Sequence, residues 1–178
     1  MACAGNFKDA GLEYTGALKV LQMIFSYEYL WIQIRVKGGA YGCMCSFSDQ
    51  GDSMFVTYRD PNLSESYKVY DEAADYVADF DADDRDMKKY IIGTIGSMDM
   101  PMEAVDMGAR SFHAYFLGKT EADLQKVRDQ VLSCTQEDIR ALAPIVKAVV
   151  EAGNRCCIGN EEKIDQNKEY FDEVKHVL

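Results

Sequence analysis

The chain has 178 residues, of which 48% are hydrophobic, and its formal net charge at pH 7 is −11. This length and apolar content suit one domain with a sizeable core and exclude an intrinsically disordered chain. The acidic balance argues against nucleic acid as a partner and mildly favours basic ligands, although most such charge is solvated surface.

Residues 1–7 lack the basic segment and long apolar core of a signal peptide, and their pattern is that of the end of a strand. We therefore expect a chain cut from a longer protein. The six cysteines have no framework spacing and no Cys-x-x-Cys, which predicts free thiols in a reducing compartment. Cys43 and Cys45 alternate on a predicted strand, so both face the same side, where packing is the expected role rather than metal binding.

An apolar segment at residues 17–36 repeats at helical spacing on more than one side, which predicts a buried helix. Polar residues interrupt it too often for a membrane span. Gly38 and Gly39 predict its end, because glycine adopts positive φ without a steric clash. Residues 40–47 then have the pattern of a strand.

Arg35 and Tyr41 lie six residues apart on either side of this glycine turn. The arginine carries a fixed fork of donors and the tyrosine a phenolic O–H, so the pair could hold peptide carbonyls or a developing oxyanion. An arginine at a helix end followed by two glycines is, however, more typical of a capped helix with a surface salt bridge. The pattern alone therefore favours the capped helix over a functional pair.

The rest of the chain predicts a hairpin, with a turn at 48–52 and a strand at 53–59, and then mostly helices. Helices are predicted at residues 65–80, 83–97, 102–116, 121–132 and 161–177, and a further helix begins after Thr135. Ser64 and Thr120 are the expected caps of the helices that follow them. A kink or restart is expected at Pro144. A short strand is expected at 155–159. This order predicts an α+β fold for residues 1–178 as a single domain, with a mainly antiparallel sheet covered on one face by several helices.

Two other patterns partly resemble ligand sites. The acidic residues 79–86 match the first carboxylate positions of a calcium loop, but Asp84 stands where glycine is needed and Tyr90 where glutamate is needed. A capped, solvated helix start is therefore expected there. The methionines between residues 98 and 107 could line a binding groove, although filling of the core is their commoner role.

Residues 35–42 resemble the Arg…Tyr motif in the C-terminal half of the pitrilysin and insulin-degrading zinc peptidases, and are most similar to the presequence-protease and falcilysin branch. Four further segments resemble the last domain of that branch in the same order, namely residues 58–63, 93–96, 118–120 and 134–139. The fold of that domain agrees with the α+β prediction.

The resemblance implies the last of four related domains in a zinc metalloendopeptidase, whose two halves close as a clamshell around unfolded peptides. The zinc would be bound in the first domain by a His-x-x-Glu-His helix with a distal glutamate. This chain has only His113 and His176, without that spacing, so no metal ligand and no isolated activity are expected from it.

By the same resemblance, Arg35 and Tyr41 are the expected catalytic residues. Gly38, Gly39 and Ala40 join them against the peptide backbone. The implied partners are the N-terminal half of the same polypeptide and peptide substrates, without nucleic acid or membrane. The implied location is the cytoplasm, or an organelle matrix in a eukaryote. A non-catalytic structural relative with this fold, or a free-standing peptide-binding module, are the alternatives.

Overall fold

Four antiparallel strands form the sheet of this protein, whose computed structural model describes residues 1–176. The strands are β1 (Ala2–Asn6), β2 (Gly42–Phe47), β3 (Asp52–Tyr58) and β4 (Asn154–Cys156), in the spatial order β2-β3-β1-β4. β2 and β3 form the predicted hairpin, in which Gly42 lies opposite Tyr58 and Phe47 lies opposite Ser53.

The helices follow the predicted order along the chain. They are α1 (Ala17–Tyr27), α2 (Ser64–Asp71), α3 (Ala73–Ala78), α4 (Asp84–Met98), α5 (Ala104–Phe116), α6 (Glu121–Leu132), α7 (Gln136–Arg140), α8 (Ala143–Glu151) and α9 (Glu161–Asp165). A π-helical segment occupies Trp31–Lys37, and short 3-10 turns occupy Phe7–Ala10 and Lys168–Tyr170. Within residues 1–176, no helix is both long enough and apolar enough to cross a membrane.

Helices cover one face of the sheet, as predicted. Phe47 and Phe55 point to that face, are buried, and pack against Phe25 of α1 with ring centroids 6.5 and 5.7 Å away. On the other face, the side chains of Met44 and Met54 are 56% and 46% exposed. The α+β class with a one-sided antiparallel sheet is therefore confirmed.

Several helix boundaries are confirmed by their capping contacts. The Thr120 side chain and Asp123 form a capping box at the start of α6, and Thr135 and Asp138 form another at α7. Pro144 lies in the first turn of α8, where its missing N–H is tolerated. Asp83 accepts hydrogen bonds from two backbone N–H groups at the start of α4, so the acidic segment is a helix start, as expected.

Three predicted helices are wrong in extent. The helix at 17–36 is interrupted at Glu28, and its second half exposes 65% of the Val36 side chain, so it is not buried all round. The helix at 65–80 divides at Glu72 into α2 and α3, and the Ser64 hydroxyl bonds to the Glu65 side chain instead of capping the backbone. The terminal helix is limited to α9, and residue 177 lies outside the described part.

The six cysteines are free, and Cys45 is buried on the helix-covered face. The methionines divide between the two expected roles. Met98 packs against the core and lines a groove, whereas the side chains of Met100, Met102 and Met107 are 65%, 40% and 56% exposed.

Candidate functional site

A tight turn joins the π-helical segment to β2 and contains the predicted site. The N–H of Gly38 donates to the carbonyl of Gln33, five residues back, with an N···O distance of 3.1 Å. Gly39 has a φ of 77°, in the left-handed region that favours glycine. A Cβ on Gly38 would lie 2.5 Å from the carbonyl oxygen of Ile34, so this position also requires glycine.

The loop at residues 60–62 holds the turn in place through a hydrogen bond. The side-chain amide of Asn62 donates a hydrogen bond to the carbonyl of Gly38. Asn62 is itself held, because its backbone N–H donates to the Asp60 carboxylate at 2.9 Å. The second carboxylate oxygen of Asp60 accepts from the Ser66 hydroxyl at 2.7 Å. The position of the turn is therefore fixed by contacts with a segment distant in sequence.

Arg35 is exposed near the end of the π-helical segment. Its guanidinium carbon lies 4.1 Å from the ring centroid of Trp31, one helical turn earlier, in a cation–π contact. Among residues 1–176 the guanidinium has no hydrogen bond to a protein acceptor and no carboxylate partner. The surface salt bridge that the sequence pattern allowed is therefore absent from this part of the chain, and the donors of Arg35 face solvent.

Tyr41 follows the turn, with 65% of its surface exposed. Its ring contacts that of Tyr58 edge-on at 5.9 Å. The guanidinium of Arg59 lies 5.9 Å from the Tyr41 centroid, and the carbonyl of Arg59 accepts the Tyr41 N–H at 3.3 Å. Within the described chain the Tyr41 hydroxyl has no protein partner. The ring is thus held from the side while its hydroxyl stays free.

Backbone hydrogen bonds place Arg35 beside the turn that precedes β2, because its carbonyl accepts the N–H of Gly39 at 3.0 Å. Burial raises the pKa of the Cys43 thiol, and the positive charge of Arg35 acts in the opposite direction. Cys43 lies two residues after Tyr41. The structure therefore brings Arg35 and Tyr41 to the same end of β2, on the surface, rather than sealing either in the core.

The backbone donors of the turn are used within the chain. The N–H of Gly39 donates to Arg35, that of Ala40 to Ile34, and that of Tyr41 to Arg59. Ala40 is buried. The Arg35 guanidinium and the Tyr41 hydroxyl are consequently free to donate to a ligand, and the exposed Lys37 ammonium, which donates to the Gln33 side chain at 3.2 Å, has further donors beside them.

Sequence reasoning did not assign roles to Arg59, Tyr58 or Asn62. All three lie in residues 58–63, one of the segments that carried the family resemblance. That resemblance is the feature of the sequence that could have indicated their role. Arg59 also has a φ of 48°, an unusual value for a residue with a side chain. The contact between Arg59 and Tyr41 depends on the hairpin, which brings the start of β2 and the end of β3 together.

No group of three or more His, Cys, Asp or Glu side chains suited to a metal ion occurs in residues 1–176. His113 is exposed on α5, and the Nδ1 of His176 lies 3.6 Å from the Glu161 carboxylate. Structural and catalytic zinc sites need three or four converging ligands. The side chains of residues 1–176 therefore do not fit a zinc site.

Comparison with known proteins shows that the family model for the PreP C-terminal domain matches residues 1–160. The chain belongs to this family. All five segments that suggested the resemblance lie inside the matched range, so the predicted relationship is confirmed.

Individual relatives agree with the assignment to the PreP C-terminal family. Protein HypA of Clostridium perfringens is 41% identical over 100% of this chain, which covers 18% of that protein. Presequence protease 1, chloroplastic/mitochondrial, of Arabidopsis thaliana is 34% identical over 98% of the chain and 17% of its own length. The mitochondrial presequence protease of Aspergillus fumigatus is 34% identical over 82% of the chain and 13% of its own length. The chain thus spans less than a fifth of each relative, as expected for part of a larger polypeptide.

Proposed function

We propose that this chain is the C-terminal domain of a zinc metalloendopeptidase and contributes Arg35 and Tyr41 to the binding of unfolded peptides. The observation that carries the proposal is the pair of free donors held at one end of β2 by a braced turn. The names of the relatives as presequence proteases support a peptidase as the parent.

Each side chain suits a distinct step. The guanidinium of Arg35 presents several N–H donors in one plane, which can donate hydrogen bonds to one or two backbone carbonyls of an extended peptide. Its stacking on Trp31 limits the rotamers that would be lost on binding. Gly38, Gly39 and Ala40 contribute through the shape of the turn.

Tyr41 would act at the scissile peptide bond. Attack on a carbonyl turns its oxygen into an oxyanion, and a positioned O–H that donates to this oxygen stabilises the transition state more than the ground state. The lateral contacts with Tyr58 and Arg59 hold the ring in place before the substrate arrives. The hydroxyl thus needs little reorganisation during the reaction.

The remaining chemistry lies elsewhere in the parent. A zinc ion bound by the N-terminal domain would supply an activated water. Arg35 and Tyr41 would reach this centre when the two halves close around the peptide, so cleavage would require closure of the enzyme. We therefore propose that the isolated chain is inactive, and that its partners are the other half of the polypeptide and the peptide. The cytoplasm, or an organelle matrix in a eukaryote, is the proposed location.

Tyr41→Phe in the full-length protein tests this role, because the substitution removes the hydroxyl and keeps the ring. We expect kcat to fall by at least about tenfold, since loss of one oxyanion donor typically costs on the order of 10² to 10³ in rate. The measurement is steady-state cleavage of an unfolded peptide, with thermal unfolding as a check on folding.

Tyr115→Phe is the matched control, since Tyr115 is also exposed but lies on α5. Its kcat should equal that of the unmodified protein. Normal turnover by Tyr41→Phe would remove Tyr41 from the mechanism and favour a peptide-binding or structural role for the domain.

A further inference from the structure

A second candidate site lies at the other end of β2. A groove of about 730 Å³ opens beside the tip of the β2–β3 hairpin, where Phe47 and Asp49 meet side chains of α1, α4 and α6. Since β2 has six residues and a strand rises about 3.3 Å per residue, the groove is roughly 20 Å from Tyr41. The two sites are therefore separate.

The charge of this groove is opposite to that of the chain. Its lining includes three cations, Lys19, Arg110 and Lys119, and one carboxylate, Asp49. Asp49 forms an ion pair with Lys119. In the described chain, neither Lys19 nor Arg110 has a carboxylate within salt-bridge distance, and Arg110 reaches only the sulfur of Met102 at 4.0 Å. A protein of net charge −11 thus concentrates unneutralised positive charge here.

Lys19 is a cation of this groove whose charge is disfavoured by burial. It is half-buried at the start of α1. Burial lowers the pKa of its ammonium group, Asp49 acts to raise it, and Lys119 and Arg110 lower it further. The two carboxylates nearby are each paired with another cation, since Asp49 pairs with Lys119, and Asp99, which interacts with Arg110 electrostatically, pairs with Arg128. An added anion between Lys19 and Arg110 would therefore be favourable.

The size and apolar part of the lining define the ligand further. Met23, Phe47 and Leu124 line the groove with the charged groups. The volume falls within the range of about 300 to 1,000 Å³ typical of pockets for organic ligands, and greatly exceeds what an inorganic anion fills. A ligand that matches both features has a carboxylate next to an apolar group.

We propose that this groove binds a carboxylate of a peptide, with a neighbouring apolar side chain of that peptide on Met23, Phe47 and Leu124. The identification of the ligand as a peptide rests on the proposed function. The carboxylate belongs either to an acidic side chain or to the peptide C-terminus, and both have the chemistry that the groove recognises.

Calorimetric titration of the 178-residue chain with three synthetic dodecapeptides tests the proposal. The first has blocked termini and one Glu between Leu and Phe, the second has Gln in place of that Glu, and the third is the Gln peptide with a free C-terminal carboxylate. We expect the first or the third to bind at least tenfold more tightly than the second. The tighter of the two identifies the source of the carboxylate.

The double variant Lys19→Met with Arg110→Gln should weaken the tighter peptide at least tenfold. Arg110→Gln alone, on the exposed α5, should weaken it at least threefold. Lys88→Gln is the matched control, because Lys88 is an exposed lysine of α4 outside the groove. The affinity of this variant for the tighter peptide should change less than twofold. Arg35 and Tyr41 are proposed to contact the peptide backbone, so Arg35→Ala with Tyr41→Phe should weaken all three peptides by a similar factor. The ratio of their affinities should stay unchanged in that variant and disappear in the groove variants, which separates the two sites.

Equal affinity for all three peptides would overturn the proposal, as would no binding at millimolar peptide. It would also be overturned if Lys88→Gln weakened binding as much as the groove variants. If the preference for the carboxylate peptide were lost only in the Arg35 and Tyr41 variant, the carboxylate would be assigned to the other site and the groove would be left without this role.

Discussion

At the residue scale, the chemistry proposed for this domain depends on two donors that the fold leaves free. Most exposed arginines are mobile, but Arg35 lies over Trp31, and this contact holds the guanidinium plane. Tyr41 is held laterally by Tyr58 and Arg59. A site with pre-positioned donors loses less side-chain entropy on binding than one that must order them.

Replacement of Arg35 by lysine tests whether the fork matters or only the charge. Lysine keeps the positive charge but offers a single ammonium and no plane to stack on Trp31. We expect kcat/KM of the full-length protein for an unfolded peptide to fall at least about tenfold, as for loss of a charge-assisted bidentate contact. Arg85→Lys, at an exposed position of α4, is the control and should have unchanged kinetics. Unchanged kinetics in Arg35→Lys would mean that a simple positive charge is sufficient.

The glycine turn is the element that converts a helix end into a site. It reverses the chain within residues 38–41 and uses its own N–H groups internally, so it presents side chains rather than backbone donors. Its geometry is secured by Asn62 from another part of the chain. The turn therefore couples the positions of Arg35 and Tyr41 to the loop after β3.

Substitution of Gly39 by alanine should destabilise this element. The φ of 77° costs a residue with a Cβ about 1 to 2 kcal/mol, and no steric clash adds to this, because the nearest atom to the new Cβ is Pro61 Cγ at 3.9 Å. The free energy of unfolding in urea should fall by that amount. Gly96→Ala in α4 is the matched control, where an added Cβ meets nothing within 4 Å and should stabilise by about 0.5 to 1 kcal/mol. Equal stability of Gly39→Ala and the unmodified chain would show that the turn adapts.

The sequence predicts best those elements that are specified locally. The helix caps at Thr120 and Thr135 and the kink or restart at Pro144 each depend on a few adjacent residues, and the sequence predicts all three. The interruption at Glu28 was missed, because a π-helical segment has the same apolar residues as an α-helix and differs in its hydrogen bonds. The division of the helix at Glu72 was likewise not predicted, because no glycine or proline in that segment indicates it.

The same distinction holds for the candidate site. Arg35, Tyr41 and the two glycines are adjacent in sequence, so a motif was sufficient to select them. Asn62 and Arg59 come from the end of the hairpin, and their contacts with the turn exist only after β2 and β3 pair. Neither periodicity nor residue type predicts such contacts between distant segments.

At the scale of the whole molecule, the core unites the sheet with α1 through aromatic side chains, while other surfaces remain open. No residue of α5 is buried, and Phe112, Tyr115 and Phe116 on this helix are 66%, 82% and 68% exposed. Monomeric proteins rarely expose large contiguous apolar patches. Together with relatives more than five times as long, this exposure agrees with a domain that belongs to a larger polypeptide.

Two tyrosines are buried in the core and partly buried ones pack against it, and these phenols make stability sensitive to alkaline pH. Burial raises the pKa of Tyr14 and Tyr76 to about 12, and it raises the pKa values of four further tyrosines, Tyr29, Tyr67, Tyr70 and Tyr90. Burial likewise raises the pKa of the Cys134 thiol to about 12.

In the unfolded chain these tyrosines ionise near pH 10 and cysteines near pH 8.5, so the unfolded state loses protons first. Stability from these groups is complete below those values and is lost as pH rises towards the folded pKa values. We expect the free energy of unfolding to decline from about pH 9 and to fall more steeply between about pH 10 and 12. Urea titrations at each pH in the presence of a reductant measure this decline.

Tyr76→Phe separates phenol ionisation from general charge repulsion. The Tyr76 ring stacks on Tyr29 with centroids 4.4 Å apart, a contact that phenylalanine retains. Because one fewer phenol can ionise on unfolding, the slope of stability against pH above 10 should be shallower by up to about 1.4 kcal/mol per pH unit. If the slope of the variant equals that of the unmodified chain, repulsion within this acidic protein, rather than its buried tyrosines, governs unfolding in alkali.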